Sequence, residues 1–370
     1  MQHAMTGREN SVRLILRRLR IRRLNNVEQR GFSLVELLIG LALSMVVMGA
    51  LTSVFVNSSA ARRETERASM QIENGRYAMQ LVTEDLSQAG YFAEFNPNIL
   101  KGAYAPASIP DPCATALATL RLAIALPVQG YDQGSGMSAC LTTLLSDIRS
   151  NTDVLVVRRV STCVRGATDC EGTVAGTPYF QAAMCSSGTV GATELNSGAT
   201  SDFFVLDTDG TKLTKHNSDC TTVASIRRFR THIYFVANND QSGDGIPTLK
   251  RAELDSSGFS ILPLVEGIEN LHFEYGIDTS APSDGAPDSF VAAPSTLADW
   301  RSVVAARVYV LARNIDRSPG YTDTKTYTLG LKSDGTSNDI TIVTADQAYK
   351  RHVYQAEVRL NNPAGRNSVP

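Results

Sequence analysis

The sequence predicts an α+β protein. A long N-terminal α-helix, with a transmembrane half and an amphipathic half, packs on an antiparallel β-sheet head that carries a loop-rich, disulfide-containing insertion. Three observations predict this. The run Phe32–Val56 is 25 residues long with one charge, Glu36, and no Pro. Helix-compatible sequence, still free of Pro, continues from that run to Gly90. After residue 224 the chain alternates apolar and polar residues in strand-length stretches.

Composition sets the bounds. Of 370 residues, 43% are apolar and 19% charged, which is globular and large enough to bury a core. The net charge of −2 hides an asymmetry: residues 1–31 hold eight Arg against Glu9 and Glu28, a balance of +6 that leaves −8 for the rest. An acidic body argues against general nucleic-acid binding, which requires phosphate neutralisation by Lys and Arg. As a helix, Phe32–Val56 measures about 37 Å, enough to cross a hydrocarbon core of about 30 Å. The Arg-rich segment precedes it, so the positive-inside rule puts residues 1–31 in the cytoplasm and the head outside. A secretory signal has a shorter apolar core and a small-residue cleavage site after it. A plain anchor leaves Glu36 unexplained, since a carboxylate near the centre of a span costs about 2.5–3.5 kcal/mol.

Gly31-Phe32-Ser33-Leu34-Val35-Glu36, after a basic leader and before an apolar helix, resembles the prepilin cleavage site of type IV pilins and type II secretion pseudopilins. The resemblance implies that a prepilin peptidase cuts after Gly31, removing a cytoplasmic leader of residues 1–31, and N-methylates Phe32. It also implies that Glu36 serves assembly by compensating the new amine of its own or a neighbouring subunit. Desolvation offsets much of that Coulombic gain, so the expected effect is register and recognition more than stability.

The spacing of Tyr77, Leu81 and Leu86 suits one helix face, so the spine is expected to run from Phe32 to about Ala89 and stop near Gly90. Residues 32–56 form its transmembrane half and 57–90 its amphipathic exported half. Glu73–Ala78 and Asp85–Phe92 resemble minor pilins of the PilW type. Three departures from major pilins favour a low-copy minor pilin: a 31-residue leader, Ser53 where those proteins tend to carry a kinking Pro, and a mature chain of 339 residues.

The head divides by texture into a loop-rich, cysteine-containing part, 91–223, and a β-sheet part, 224–370. Strands are expected at 153–160, 231–236, 271–275, 303–311 and 354–360, with 233–236 and 249–254 flanking a hairpin tip. Glu266–Tyr275, Trp300 with Val303–Leu311, and Arg351–Leu360 resemble PilW-type pilins and, in part, minor pseudopilin J. Cys113, Cys140, Cys163, Cys170, Cys185 and Cys220 suit three disulfides in an exported region. Fifteen pairings are open, and neighbour pairing (113–140, 163–170, 185–220) is the working expectation. With no CxxC and no His at ligand spacing from a Cys pair, zinc is disfavoured and no metal or cofactor is expected.

No catalytic motif is evident: HExxH, GxSxG and the Walker A loop are absent. His232, His272 and His352 fall in expected strands, as satisfied or solvent-facing residues. Gly134–Ala139 fits a loose dinucleotide fingerprint, but no strand is expected before it and no helix after it, so it reads as a turn. Asp240 and Asp244 begin an EF-hand-like loop and are weak calcium candidates, because position twelve is Arg251 and not Glu. The resemblance implies a non-enzymatic minor pilin that takes part in initiating pilus assembly and lies at or near the tip. Its implied partners are prepilin peptidase, other minor pilins, the major pilin, a tip adhesin and the inner-membrane assembly platform. The implied location is the inner membrane as a single-pass protein with a periplasmic head, then the pilus. The alternatives are minor pseudopilin J and, more distantly, a membrane-anchored exported enzyme.

Overall fold

Helix α1 runs from Leu34 to Ser87 in the computed structural model, which describes residues 31–99, 106–185 and 203–367. The basic leader lies outside the described residues, apart from Gly31. Chain contacts divide the protein after Ala60 into two compact units. In the first, the apolar helix residues are exposed, Phe32 by 88% and Leu34–Val56 mostly by more than half. Among the described residues this is the one helix long and apolar enough to cross a membrane. Two of its hydroxyls bond back within the helix: Ser44 Oγ donates to the Gly40 carbonyl at 2.7 Å and Thr52 Oγ1 to that of Met48 at 2.8 Å. Such back-bonding suits an environment without water.

In the second unit, Ala61–Ser87 of α1 turns one face inward. Gln71, Gly75, Ala78, Val82, Asp85 and Leu86 are buried, at the three- and four-residue spacing of a helix stripe. The helix ends at Ser87, two residues before the expected Ala89, and Gly90 sits just beyond it at φ +71°, the left-handed conformation that glycine adopts without steric cost.

Two antiparallel sheets form the head. The first contains β1 (Val128–Tyr131), β2 (Val154–Val160), β3 (Tyr179–Ala182), β4 (Phe204–Asp207), β5 (Ile226–Ala237), β6 (Thr248–Asp255) and β7 (Gly258–Glu266). Its organiser is β5. One edge pairs Phe229–Tyr234 with β2, and the other gives Ile226–Arg228 to β3 and His232–Ala237 to β6. The second sheet, in the order β13-β10-β8-β9, contains β8 (Ile268–Ile277), β9 (Ser289–Val291), β10 (Val303–Arg313) and β13 (Arg351–Arg359). Strands β11 (Thr326–Leu331) and β12 (Ser337–Thr341) form a separate hairpin. Short helices α2 (Leu117–Ala123), α3 (Ala139–Leu144), α4 (Leu297–Arg301) and α5 (Asn361–Asn367) complete the described elements.

Every expected strand is present. The expected division at 223/224, however, is not a boundary in the sheet. β1–β4 lie on its N-terminal side and pair with β5, so both parts build one seven-stranded sheet. The physical reason is that a twelve-residue central strand cannot be satisfied by its hairpin partner alone. Its remaining backbone groups take up β2 and β3.

One apolar core joins the helix to both sheets. Ala78, Val82 and Leu86 share it with Leu155 and Tyr234 of the first sheet and with Phe273, Val308 and Val310 of the second. After the helix, Phe92 and Phe95 enter an aromatic group with Phe180 and Phe204, their rings 5.8 Å and 5.0 Å from Phe180 and Phe204 respectively. Gly75 lets the helix approach β13 closely, since a Cβ there would lie 2.1 Å from the Tyr354 ring. Gly75→Ala should therefore destabilise the protein by about 1–3 kcal/mol despite the better helix propensity of Ala. In a chain that also carries Tyr354→Ala, the Gly75→Ala penalty should disappear. Urea unfolding of the full chain in detergent, run as a double-mutant cycle, measures both.

Candidate functional site

The first turn of α1 gathers the residues singled out in the sequence. Gly31 and Phe32 precede the helix, Ser33 caps it, and Glu36 lies in its first turn. Glu36 Oε2 accepts the Ser33 backbone N–H at 3.0 Å, and Ser33 Oγ accepts that of Val35 at 3.3 Å. The Ser33 carbonyl takes the first helical bond, from Leu37, at 3.1 Å. The arrangement is half of a capping box, the Glu36 side chain on the Ser33 N–H, with Ser33 Oγ on the second helical N–H rather than the third, and it places a carboxylate at the positive end of the helix dipole. Ser33 was missed as a functional residue, although Ser-x-x-Glu is a readable capping signal. In the single subunit, then, Glu36 holds the helix start, one residue from the Phe32 amide.

The part of the helix beyond Ala60 is held by polar ties. Glu64 Oε1 receives Ser318 Oγ at 2.9 Å and Lys350 Nζ at 2.5 Å. Its hydrogen bond with Lys350 keeps this carboxyl below the usual range. Gln71 Nε2 donates to the carbonyls of Ala312 and Lys350 at 2.9 and 3.0 Å. Near the helix end, the buried Asp85 receives Arg159 Nε at 2.6 Å, His232 Nδ1 at 2.6 Å and the Tyr234 hydroxyl at 2.9 Å. Burial alone would raise the Asp85 carboxyl, but the charges and hydrogen bonds of His232 and Arg159 outweigh it and hold it well below the usual carboxylate range.

The Ser87 carbonyl at the helix end and the carbonyls just beyond it are closed by α5. Asn361 Nδ2 lies 3.3 Å from the Ser87 oxygen and Asn362 Nδ2 3.2 Å from that of Ala89. Arg366 reaches the oxygens of Gly90 and Phe95 at 2.8 and 2.9 Å. A cation there complements the negative end of the helix dipole. Burial lowers the Arg366 guanidinium to about 10, which leaves it charged at neutral pH.

Residues 28–52, which include this capped turn, match the prokaryotic N-terminal methylation motif, and residues 233–362 match the type IV pilus-assembly protein W family. Over these two segments the chain is similar to type IV pilin-like proteins of the PilW family. Pilin-like protein PilA3 of Thermus thermophilus is 38% identical to it over 72 residues. That match covers 19% of this chain and 31% of PilA3, so the chain spans about a third of the relative's length. The type IV-like pilin TTHA1219 from Thermus thermophilus superposes with a TM-score of 0.29 at 12% identity, over 60% of this chain and 91% of the other.

Elsewhere in the chain, the six cysteines form Cys113–Cys140, Cys163–Cys170 and Cys185–Cys220. Contrary to expectation, Gly134–Ala139 does have a strand before it, β1, and a helix after it, α3. Elements of four and six residues are too short for periodicity to reveal. β1 pairs antiparallel with β2, so the parallel βαβ frame of a dinucleotide site is absent here. Asp240 and Asp244 lie in the tip between β5 and β6. The Asp244 carboxylate accepts the backbone N–H groups of Asp240, Gln241 and Ile246 at 3.1, 2.8 and 2.9 Å, which closes the turn internally and holds that carboxyl below its usual range. His232 and His272 are buried, and His352 is exposed.

Asp85 supports a prediction with a sign. A carboxyl depressed in the folded state contributes stability above its unfolded value, about 3.9, and loses it as pH falls toward the folded value. Asp85→Asn should cost about 3 kcal/mol, because Arg159 and His232 lose their buried partner. The gap between wild type and variant should be full at about pH 5 and narrow as pH drops below about 4. Denaturant unfolding of both proteins across that range checks it.

Proposed function

We propose that this protein is a minor pilin that helps initiate type IV pilus assembly and comes to lie at or near the filament tip with other minor pilins. The capped helix start carries the reading. Prepilin peptidase removes the leader after Gly31 and methylates Phe32, leaving an amine beside Ser33. Glu36 Oε2 is already held at the Ser33 N–H, 3.0 Å away. The carboxylate is thereby poised to take a cationic amine, from its own chain or from a neighbour, within an apolar helix bundle. The head is periplasmic before assembly, and the leader side of the helix is cytoplasmic. The work of assembly comes from a cytoplasmic ATPase, and the protein's part is binding rather than catalysis. Two sheets and a further hairpin make a bulky head, which suits a low-copy subunit better than a tightly packed shaft. The expected partners are other minor pilins, the major pilin and a tip adhesin.

Mass spectrometry of the membrane-extracted protein should find a chain that starts at N-methylated Phe32, and Gly31→Arg should abolish that species. Glu36→Gln keeps an oxygen to accept the Ser33 N–H but removes the charge. It should be cleaved normally and enter sheared pili about tenfold less, equivalent to about 1.4 kcal/mol of lost interaction. Normal incorporation of Glu36→Gln would show that the charge plays no part. Recovery with secretion pseudopilins in place of pilus subunits would reassign the protein to the role of minor pseudopilin J.

A further inference from the structure

Asp132, Asp153 and His272 meet in the interior of the head. Asp132 opens the turn after β1, Asp153 immediately precedes β2, and His272 lies in β8. One donor atom from each lies within 4.8 Å of the others. The residues are 7%, 2% and 0% exposed. This cluster is independent of the helix and of the assembly reading above.

Its hydrogen bonds are asymmetric. His272 Nε2 is 2.9 Å from the Leu331 carbonyl, so that nitrogen bears the proton it donates there. The other nitrogen, Nδ1, lies 2.9 Å from Asp153 Oδ2 and 3.9 Å from Asp132 Oδ1. It makes an aligned hydrogen bond with neither, and Asp132 Oδ1 has no hydrogen-bond partner. The remaining acceptor positions are fixed by backbone. Ser333 N–H donates to Asp132 Oδ2 at 2.8 Å, Gln133 N–H to Asp153 Oδ1 at 2.8 Å and Phe273 N–H to Asp153 Oδ2 at 2.8 Å.

This is the outer arrangement of a metal centre: an imidazole oriented by a carbonyl behind it, and carboxylates oriented by backbone amides. A proton on Nδ1 would pair His272 with Asp153 at 2.9 Å but leave the buried Asp132 Oδ1, 3.9 Å away, without a partner, whereas a cation among the three groups satisfies all of them. We propose that Asp132, Asp153 and His272 bind one divalent metal ion of the zinc class. One nitrogen and two carboxylate oxygens suit such an ion and together neutralise it. Asp153 N–H also bonds the Leu271 carbonyl at 2.9 Å, so the ion would join the two sheets where they already touch. Sequence spacing could not reveal the site, because its ligands come from three separate segments.

The test uses the full chain in detergent, freed of any affinity tag, stripped with chelator and then exposed to zinc chloride. Elemental analysis after dialysis should find about one zinc per chain, and the melting temperature should rise by about 5 °C or more over the chelated protein. Asp132→Asn retains an acceptor for the Ser333 N–H. It should hold no zinc, show no zinc-dependent rise, and melt no lower than wild type when both are chelated. X-ray absorption of zinc-loaded wild type should give an N/O shell at about 2.0–2.2 Å with one imidazole and no sulfur, a result that does not depend on any variant folding. Wild type that retains no zinc and melts alike with zinc and with chelator would overturn the proposal. So would zinc bound equally by Asp132→Asn, or a shell containing sulfur or several imidazoles.

Discussion

A single carboxylate sets where the first sheet meets the long helix. Asp85 lies in a buried stripe otherwise made largely of small and apolar residues, and its three partners come from the adjacent strands β2 and β5. Apolar contact supplies most of the driving force, but it is non-directional and would tolerate sliding along the helix. A buried anion held by three donors does not slide, because any shift strands a charge. Gln71 does the corresponding work for the second sheet, through the Ala312 and Lys350 carbonyls. Between these two ties the inward face carries Gly75 and Ala78, small enough for close approach.

Charge is buried elsewhere in the head under the same rule. Glu269, on β8, takes a two-pronged contact from Arg351, on β13, and a further bond from Arg149 at 3.2 Å. Arg351 also reaches Asp323 at 3.1 Å. Arg158, fully buried, has no such carboxylate. It is satisfied instead by the Leu126 carbonyl at 3.1 Å and Gln129 Oε1 at 2.8 Å, and burial lowers it to about 10. In each case a guanidinium ties a strand to a segment distant in sequence, with a planar fork that restricts the relative orientation of the two.

Legibility in the sequence followed the length and regularity of each element. The spine helix and the strands β2, β5, β6, β8, β10 and β13 were readable because each carries several periods of its own pattern. β1, β3, β4 and β9 are three or four residues long, too short for a period to repeat. β7 is an edge strand with Pro263 inside it, and Pro argues against a strand when only the sequence is in view. The processing motif was legible because its residues are contiguous. The Asp85 cluster, the α5 cap and the Asp132–Asp153–His272 group were not, since each unites side chains that only tertiary structure brings together.

The cap on the helix end has a consequence for timing. Asn361, Asn362 and Arg366 are synthesised after nearly all of the described residues, yet they satisfy carbonyls near residue 90. Until they arrive, the Ser87, Ala89 and Gly90 carbonyls lack these donors, and that end of the spine is the part most ready to fray. Closure of the spine is therefore a late event, set by the synthesis of the far part of the chain. A nascent subunit stalled before Asn361 would present a helix end that any donor-rich partner, a chaperone or a protease, could recognise as unfinished.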